Sequence, residues 1–159
     1  MDIVYLDNCG IDDEEMSSLL NGFCHLDRLR YLLYKENIFG PESLQAIQPL
    51  LLKRYPNNLR QLKLVKLNIS QQLLCDLLHF MTEEPTSLIS LSLVQMSIPS
   101  TTMPLIVEYI DSNGQLEELD LSWNKFVPPD FILLMNCLQN NVIIKNLNLS
   151  WNLMIPSRL

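Results

Sequence analysis

The sequence predicts an α/β fold in which strand–turn–helix units stack into a curved, horseshoe-like segment of a right-handed β-α superhelix, with about six strands in one parallel sheet and about five outer helices. Three observations predict it: an eleven-residue block that recurs six times, a strand-like apolar period inside each block, and a helix-like apolar period in the stretch after it. The whole chain, residues 1–159, is expected to form one domain.

The blocks begin at Met1, Leu29, Leu59, Leu88, Leu116 and Ile144 and read MDIVYLDNCGI, LRYLLYKENIF, LRQLKLVKLNI, LISLSLVQMSI, LEELDLSWNKF and IKNLNLSWNLM. Their starts lie 28, 30, 29, 28 and 28 residues apart. Positions one, four, six and eleven are apolar in all 24 instances, which coincidence does not produce in a chain that is 48% hydrophobic. Apolar residues at four and six, with mixed neighbours, have the two-residue period of a strand that buries one face.

Apolar residues then recur at offsets of 15, 18, 19 and 22 from each block start, the spacing of one helical face. The sets are Met16, Leu19, Leu20, Phe23; Leu44, Ile47, Gln48, Leu51; Leu74, Leu77, Leu78, Met81; Met103, Ile106, Val107, Ile110; and Phe131, Leu134, Met135, Leu138, with Gln48 alone polar. Asp12 and Asp13 precede the first helix, Ser70 the third, Pro129 sits near the start of the fifth, and Asn113-Gly114 marks an end. Pro49 is expected to kink the second helix or end it near Gln48. The extra residues of the longer units fall in the returns Arg54-Tyr55-Pro56-Asn57-Asn58 and Glu83-Glu84-Pro85-Thr86. Neither the strand nor the helix of one unit can bury its apolar face alone, so neighbouring units must stack. Strands pack more closely than helices, so the stack is expected to bend with the strands inside.

Net charge is −7 and the isoelectric point about 4.7, which removes the general attraction to phosphate that nucleic-acid binding needs. The charge is uneven: residues 1–28 carry seven acids and one base, residues 29–66 seven bases and two acids, and residues 67–159 nine acids and three bases. Cys9, Cys24, Cys75 and Cys137 are far apart and read as small buried hydrophobes. The sequence carries no secretory leader and no apolar run of membrane-spanning length, so the expected setting is a reducing, cytoplasmic one without membrane or nucleic-acid partners. Two matches to the glycosylation sequon, at Asn68 and Asn148, are what 14 asparagines produce by chance.

The blocks resemble the leucine-rich-repeat motif L-x-x-L-x-L-x-x-N/C-x-L, and the 28–30-residue period is similar to that of the ribonuclease-inhibitor-like subclass. The motif's ninth position holds Asn or Cys, and here reads Cys9, Asn37, Leu67, Met96, Asn124 and Asn152. Leu67 and Met96 depart from it, so the asparagine hydrogen-bond ladder is expected to break in the middle units, leaving water or the adjacent turn to satisfy the backbone. The first strand starts at Met1 and the sixth unit stops without a helix, so the ends are expected to be covered by a neighbouring chain or by missing repeats.

Four glycines leave no phosphate-cradling loop, and His25 and His79 have no partners at ligand spacing, so no cofactor, metal or catalytic residue is expected. The acidic run Asp12-Asp13-Glu14-Glu15 reads as a complement to a helix N-terminus. Block positions three, five, seven and eight should line the concave face. Position eight brings Trp123 and Trp151 together, flanked by Asp120, Asn146 and Asn148, as a candidate protein-binding patch. The alternative is that the indoles pack only on each other or on the turn, and the sequence leaves both open. Tyr31, Lys35, Lys63 and Lys66 form a second, basic patch suited to an acidic partner, or else a set of solvated lysines.

The resemblance implies a non-enzymatic protein-interaction scaffold or adaptor, or a structural subunit of a larger assembly of the cytoplasm, cytoskeleton or cilium. A second implication is a regulator of a GTPase or other enzyme, similar to the Ran GTPase-activating proteins or to ribonuclease inhibitor. Stimulated GTP hydrolysis would distinguish it from a plain binding module.

Overall fold

The fold is that of a computed structural model, which describes residues 1–54 and 58–153. Among the described residues it is a mixed α/β architecture with one six-stranded parallel sheet and five α-helices. The strands are β1 (Ile3–Asp7), β2 (Tyr31–Lys35), β4 (Gln61–Val65), β6 (Ser90–Val94), β7 (Glu118–Asp120) and β8 (Asn146–Asn148), paired in that order. Between them lie α1 (Asp13–Phe23), α2 (Pro41–Leu51), α3 (Gln71–Glu83), α4 (Met103–Ser112) and α5 (Pro128–Leu138).

Register follows the block spacing. Ile3 pairs with Tyr31, Tyr31 with Gln61, Gln61 with Ser90, Ser90 with Glu118 and Glu118 with Asn146, all of them third in their blocks. Positions four and six therefore point to one side along the whole sheet, where Val4, Leu6, Leu32, Tyr34, Leu62, Leu64, Leu91, Leu93, Leu119 and Leu121 are buried. Tyr34 fits this apolar slot because its hydroxyl donates to the Ile38 carbonyl at 2.6 Å. Burial pushes that phenol up to about 12.

The helices close the other side of the core with Met16, Leu20, Ile47, Leu51, Leu74, Leu77, Leu78, Ile106 and Leu134. Leu19 and Met135, expected on the same face, are instead exposed, because α1 and α5 each have a helix on one flank only. The cysteines also differ from expectation. Cys9 is exposed and Cys24, Cys75 and Cys137 are only partly buried, all four with free thiols. In the next four blocks the ninth residue is buried by an adjoining turn, and Cys9 has none before it.

Helix starts follow local chemistry. Asp12 accepts from the Glu15 N–H at 2.9 Å while the Glu15 carboxylate accepts from the Asp12 N–H at 3.0 Å, a reciprocal cap. Ser70 accepts from the Leu73 N–H at 3.2 Å, and Pro128 and Pro129 open α5. α4 stops at Ser112, before Asn113-Gly114. α2 runs through Pro49 to Leu51, so the early end expected near Gln48 does not occur.

Three further features lie in the connections between these elements. Short strands β3 (Ile38–Phe39) and β5 (Asn68–Ile69) form a second, parallel two-stranded sheet, and Ser100–Thr102 forms a 3-10 turn before α4. One inserted return meets its neighbour. Leu52 and Thr86 form an antiparallel bridge, and the Lys53 N–H donates to the Pro85 carbonyl at 2.8 Å. Tyr55, Pro56 and Asn57 of the other return, and Met154 at position eleven of the last block, lie outside the described residues.

The sheet is not curved, which corrects the expected horseshoe bend. Unequal strand and helix spacings bend a sheet only where the helices stay side by side in one layer, so spacing alone does not fix the curvature. No helix among the described residues is long and apolar enough to cross a membrane.

Candidate protein-binding face

The sheet's other side carries block positions three and five, and the turn after each strand carries position eight. Asn8, Glu36, Lys66, Gln95, Trp123 and Trp151 all sit at position eight, and all have left-handed backbone, with φ between 48° and 59°. That conformation costs a bulky residue about 1 kcal/mol. Because all six positions share it, the strain belongs to the turn and not to the tryptophans.

At three of these turns an asparagine in the ninth position holds the chain. The Asn37 side chain accepts from the Cys9 N–H at 2.8 Å and donates to the Leu6 and Lys35 carbonyls, both at 2.8 Å. Asn124 accepts from Met96 and Ile98 N–H groups at 3.0 and 3.3 Å and donates to Leu93 at 2.7 Å and Leu121 at 3.0 Å. Asn152 reaches the Phe126 N–H at 3.3 Å and the Leu121 and Leu149 carbonyls at 3.0 and 2.9 Å. Leu67 and Met96 lack this chemistry and are buried apolar plugs. The adjacent turn serves Met96, as expected, and the β3–β5 pairing ties the turn at Leu67.

On this frame Trp123 and Trp151 stack with centroids 4.5 Å apart and planes 13° from parallel. Aromatic stacking of this kind contributes about 1 kcal/mol beyond area. The indoles nevertheless stay 49% and 70% exposed: the rings pack on each other and still face solvent. Asp120 is half-buried and Asn146 and Asn148 exposed on the strands leading to the pair. Asn148 donates to Asp120 at 3.1 Å and Asn146 to Glu118 at 3.2 Å. A shallow groove over β6–β8 runs between these side chains, lined also by Ser90 and Ser92.

The basic patch takes a different form from the expected one. Lys35 pairs with Asp7 at 3.0 Å and Lys66 with Glu36 at 3.5 Å, leaving Lys63 without an ion-pair partner among the described residues. The Asp7 carboxylate, by hydrogen bond and by charge, pushes the Lys35 ammonium up. Tyr31 contacts Tyr5 instead, with centroids 5.6 Å apart and planes at 56°. Burial, then repulsion from Tyr5, pushes the Tyr31 phenol up. Sequence reasoning missed Ile3 and Tyr5, 50% and 65% exposed, and Glu118. Their signal was block position: third and fifth residues share the sheet's solvent side. Asp7 and Lys35 likewise share position seven, and Glu36 and Lys66 position eight, so both pairings were written in the alignment.

Among the described residues no group of three or more His, Cys, Asp or Glu side chains is placed to hold a metal ion. No protein-family model and no curated protein matches the chain.

Proposed function

We propose that this chain is a leucine-rich-repeat solenoid of the ribonuclease-inhibitor-like type that acts as a non-enzymatic protein-interaction scaffold or adaptor, serving as a structural subunit of a larger cytoplasmic, cytoskeletal or ciliary assembly. One observation carries the reading: two indoles held flat against each other on neighbouring turns, with about half or more of each in solvent. Large aromatic area that is already ordered binds a partner with little further entropy loss, which is why tryptophan dominates interface energetics. Asp120, Asn146 and Asn148 supply the polar rim.

The register supports the solenoid part of the reading, because strands paired at the block spacing let each unit bury the face its neighbour exposes. The test is affinity capture from native lysate with the wild-type chain and with a Trp123→Ala, Trp151→Ala double variant. Loss of specific partners in the variant is the expected result. An unchanged partner set overturns the indole patch as the principal contact.

A further inference from the structure

The solvent face of the sheet divides by charge. Towards β1–β4 its carboxylates are paired, Asp7 with Lys35 and Glu36 with Lys66, and the charge left over is the positive one of Lys63. On β7, the donors that Glu118 and Asp120 receive among the described residues are neutral: Asn146 on Glu118, and Asn148 together with the Ser122 N–H and hydroxyl on Asp120. No ion pair among the described residues includes either carboxylate. Lys145 also borders the groove, but its ammonium lies 2.9 Å from Glu117. Two negative charges without an ion-pair partner among the described residues thus stand on β7, and the turn after it carries Trp123, one half of the indole stack, three residues beyond Asp120.

An acidic partner is repelled by this arrangement, and an apolar one leaves both carboxylates desolvated without a counter-charge. A guanidinium suits both halves, since its plane stacks on an indole face and its forked N–H groups donate to carboxylates. We propose that the groove over β6–β8 takes an arginine-bearing segment of a partner protein, whose guanidinium groups lie over Trp123 and Trp151 and against Glu118 and Asp120. This rests on the reading of the face as a protein interface and adds the chemistry of what it binds.

Trp123 and Trp151 are the only tryptophans in the chain, so indole fluorescence reports on this place alone. The purified chain is titrated with three short synthetic peptides that differ only in carrying arginine, lysine or glutamate at alternate positions. A saturable fluorescence change with the arginine peptide is expected, at least threefold weaker binding of the lysine peptide, and no response to glutamate. Glu118→Gln keeps an acceptor for Asn146 and should weaken the arginine peptide at least fivefold with an unaltered far-UV circular dichroism spectrum.

Absence of arginine-peptide binding, an equal response to glutamate, or indifference to Glu118→Gln overturns the proposal. A lysine peptide that binds as tightly as the arginine one overturns the stacking part. Failure here is separable from failure of the interface reading. If the double tryptophan variant loses its captured partners while no arginine peptide binds, the interface stands and the cationic occupant falls.

Discussion

At the scale of single residues, the ninth block position decides how each turn is held. Asn124 is 5% exposed, and its amide joins two turns by accepting from Met96 and Ile98 and donating to Leu93, Leu121 and Ser122. Asn124→Leu keeps the branched heavy-atom shape and strands these backbone groups, each orphan costing about 1–3 kcal/mol. Neighbouring Asn152 still serves Leu121, so the expected loss is about 3 kcal/mol rather than a full sum. Urea denaturation measures it, and a loss under about 1 kcal/mol would show the ladder to be redundant. Leucine and methionine occur at this position in the middle units, but Met96 survives because Asn124 reaches it. The identity of the ladder residues was legible in the sequence, since asparagine recurs at one offset. The left-handed backbone one position earlier was not, because Glu36, Lys66, Gln95 and the tryptophans are poor left-handed formers and the turn imposes it on them.

Between elements, the first turn of one helix caps the next. Gly40 gives α2 no side-chain cap, and Asp13 of α1 takes over that role, accepting from Gly40 and Glu42 N–H groups at 2.9 Å and from Ser43 at 3.1 Å. A Cβ at Gly40 would meet the Asp13 carboxylate, so a larger residue there would displace this cap. Burial raises the Asp13 carboxyl, but the hydrogen bonds from the Ser43 side chain and from the Glu42, Gly40 and Ser43 backbone outweigh it and hold the group below its ordinary value of 3.8. A carboxyl depressed on folding stabilises the fold above its unfolded value, and that stabilisation is lost as pH falls through the folded one. Asp13→Asn is therefore expected to be about 1 kcal/mol less stable at neutral pH, the usual worth of a cap, and to converge on wild type as pH drops well below 3.8. Urea midpoints from pH 7 to pH 2 test this, and a gap that stays constant with pH would assign the cap to something other than the charge. Strands and helices were legible from their periods, and the starts of α1, α3 and α5 from Asp12 and Asp13, Ser70 and Pro129, because those signals are local. The reach of Asp13 to α2, the β3–β5 sheet and the Leu52–Thr86 bridge join residues about 30 apart, and no short window of sequence contains both partners.

Across the whole molecule, one continuous apolar cluster runs from Val4 to Leu134, yet it is not uniform along the sheet. Leu62 and Leu64 of β4 lie between strands on both sides and are 1% and 0% exposed. Ile144, Leu147 and Leu149, which flank or form β8, are only partly buried against the same cluster. β8 also pairs with β7 alone and over three residues, where β4 pairs over five with each of its neighbours. Less buried area and fewer ladder bonds mean a lower free energy for local opening, so stability should grade from the centre of the sheet towards β8. Hydrogen exchange followed by mass spectrometry is expected to show β4 amides protected near the level set by global unfolding and β8 amides exchanging at least tenfold faster. The stacked indoles sit at the frayed side of this gradient, so a partner that grips them should slow exchange in β8 more than in β4. Equal protection of β4 and β8 in the free chain would mean that the cluster opens only as one unit, and the expected link between binding and ordering at this face would be lost.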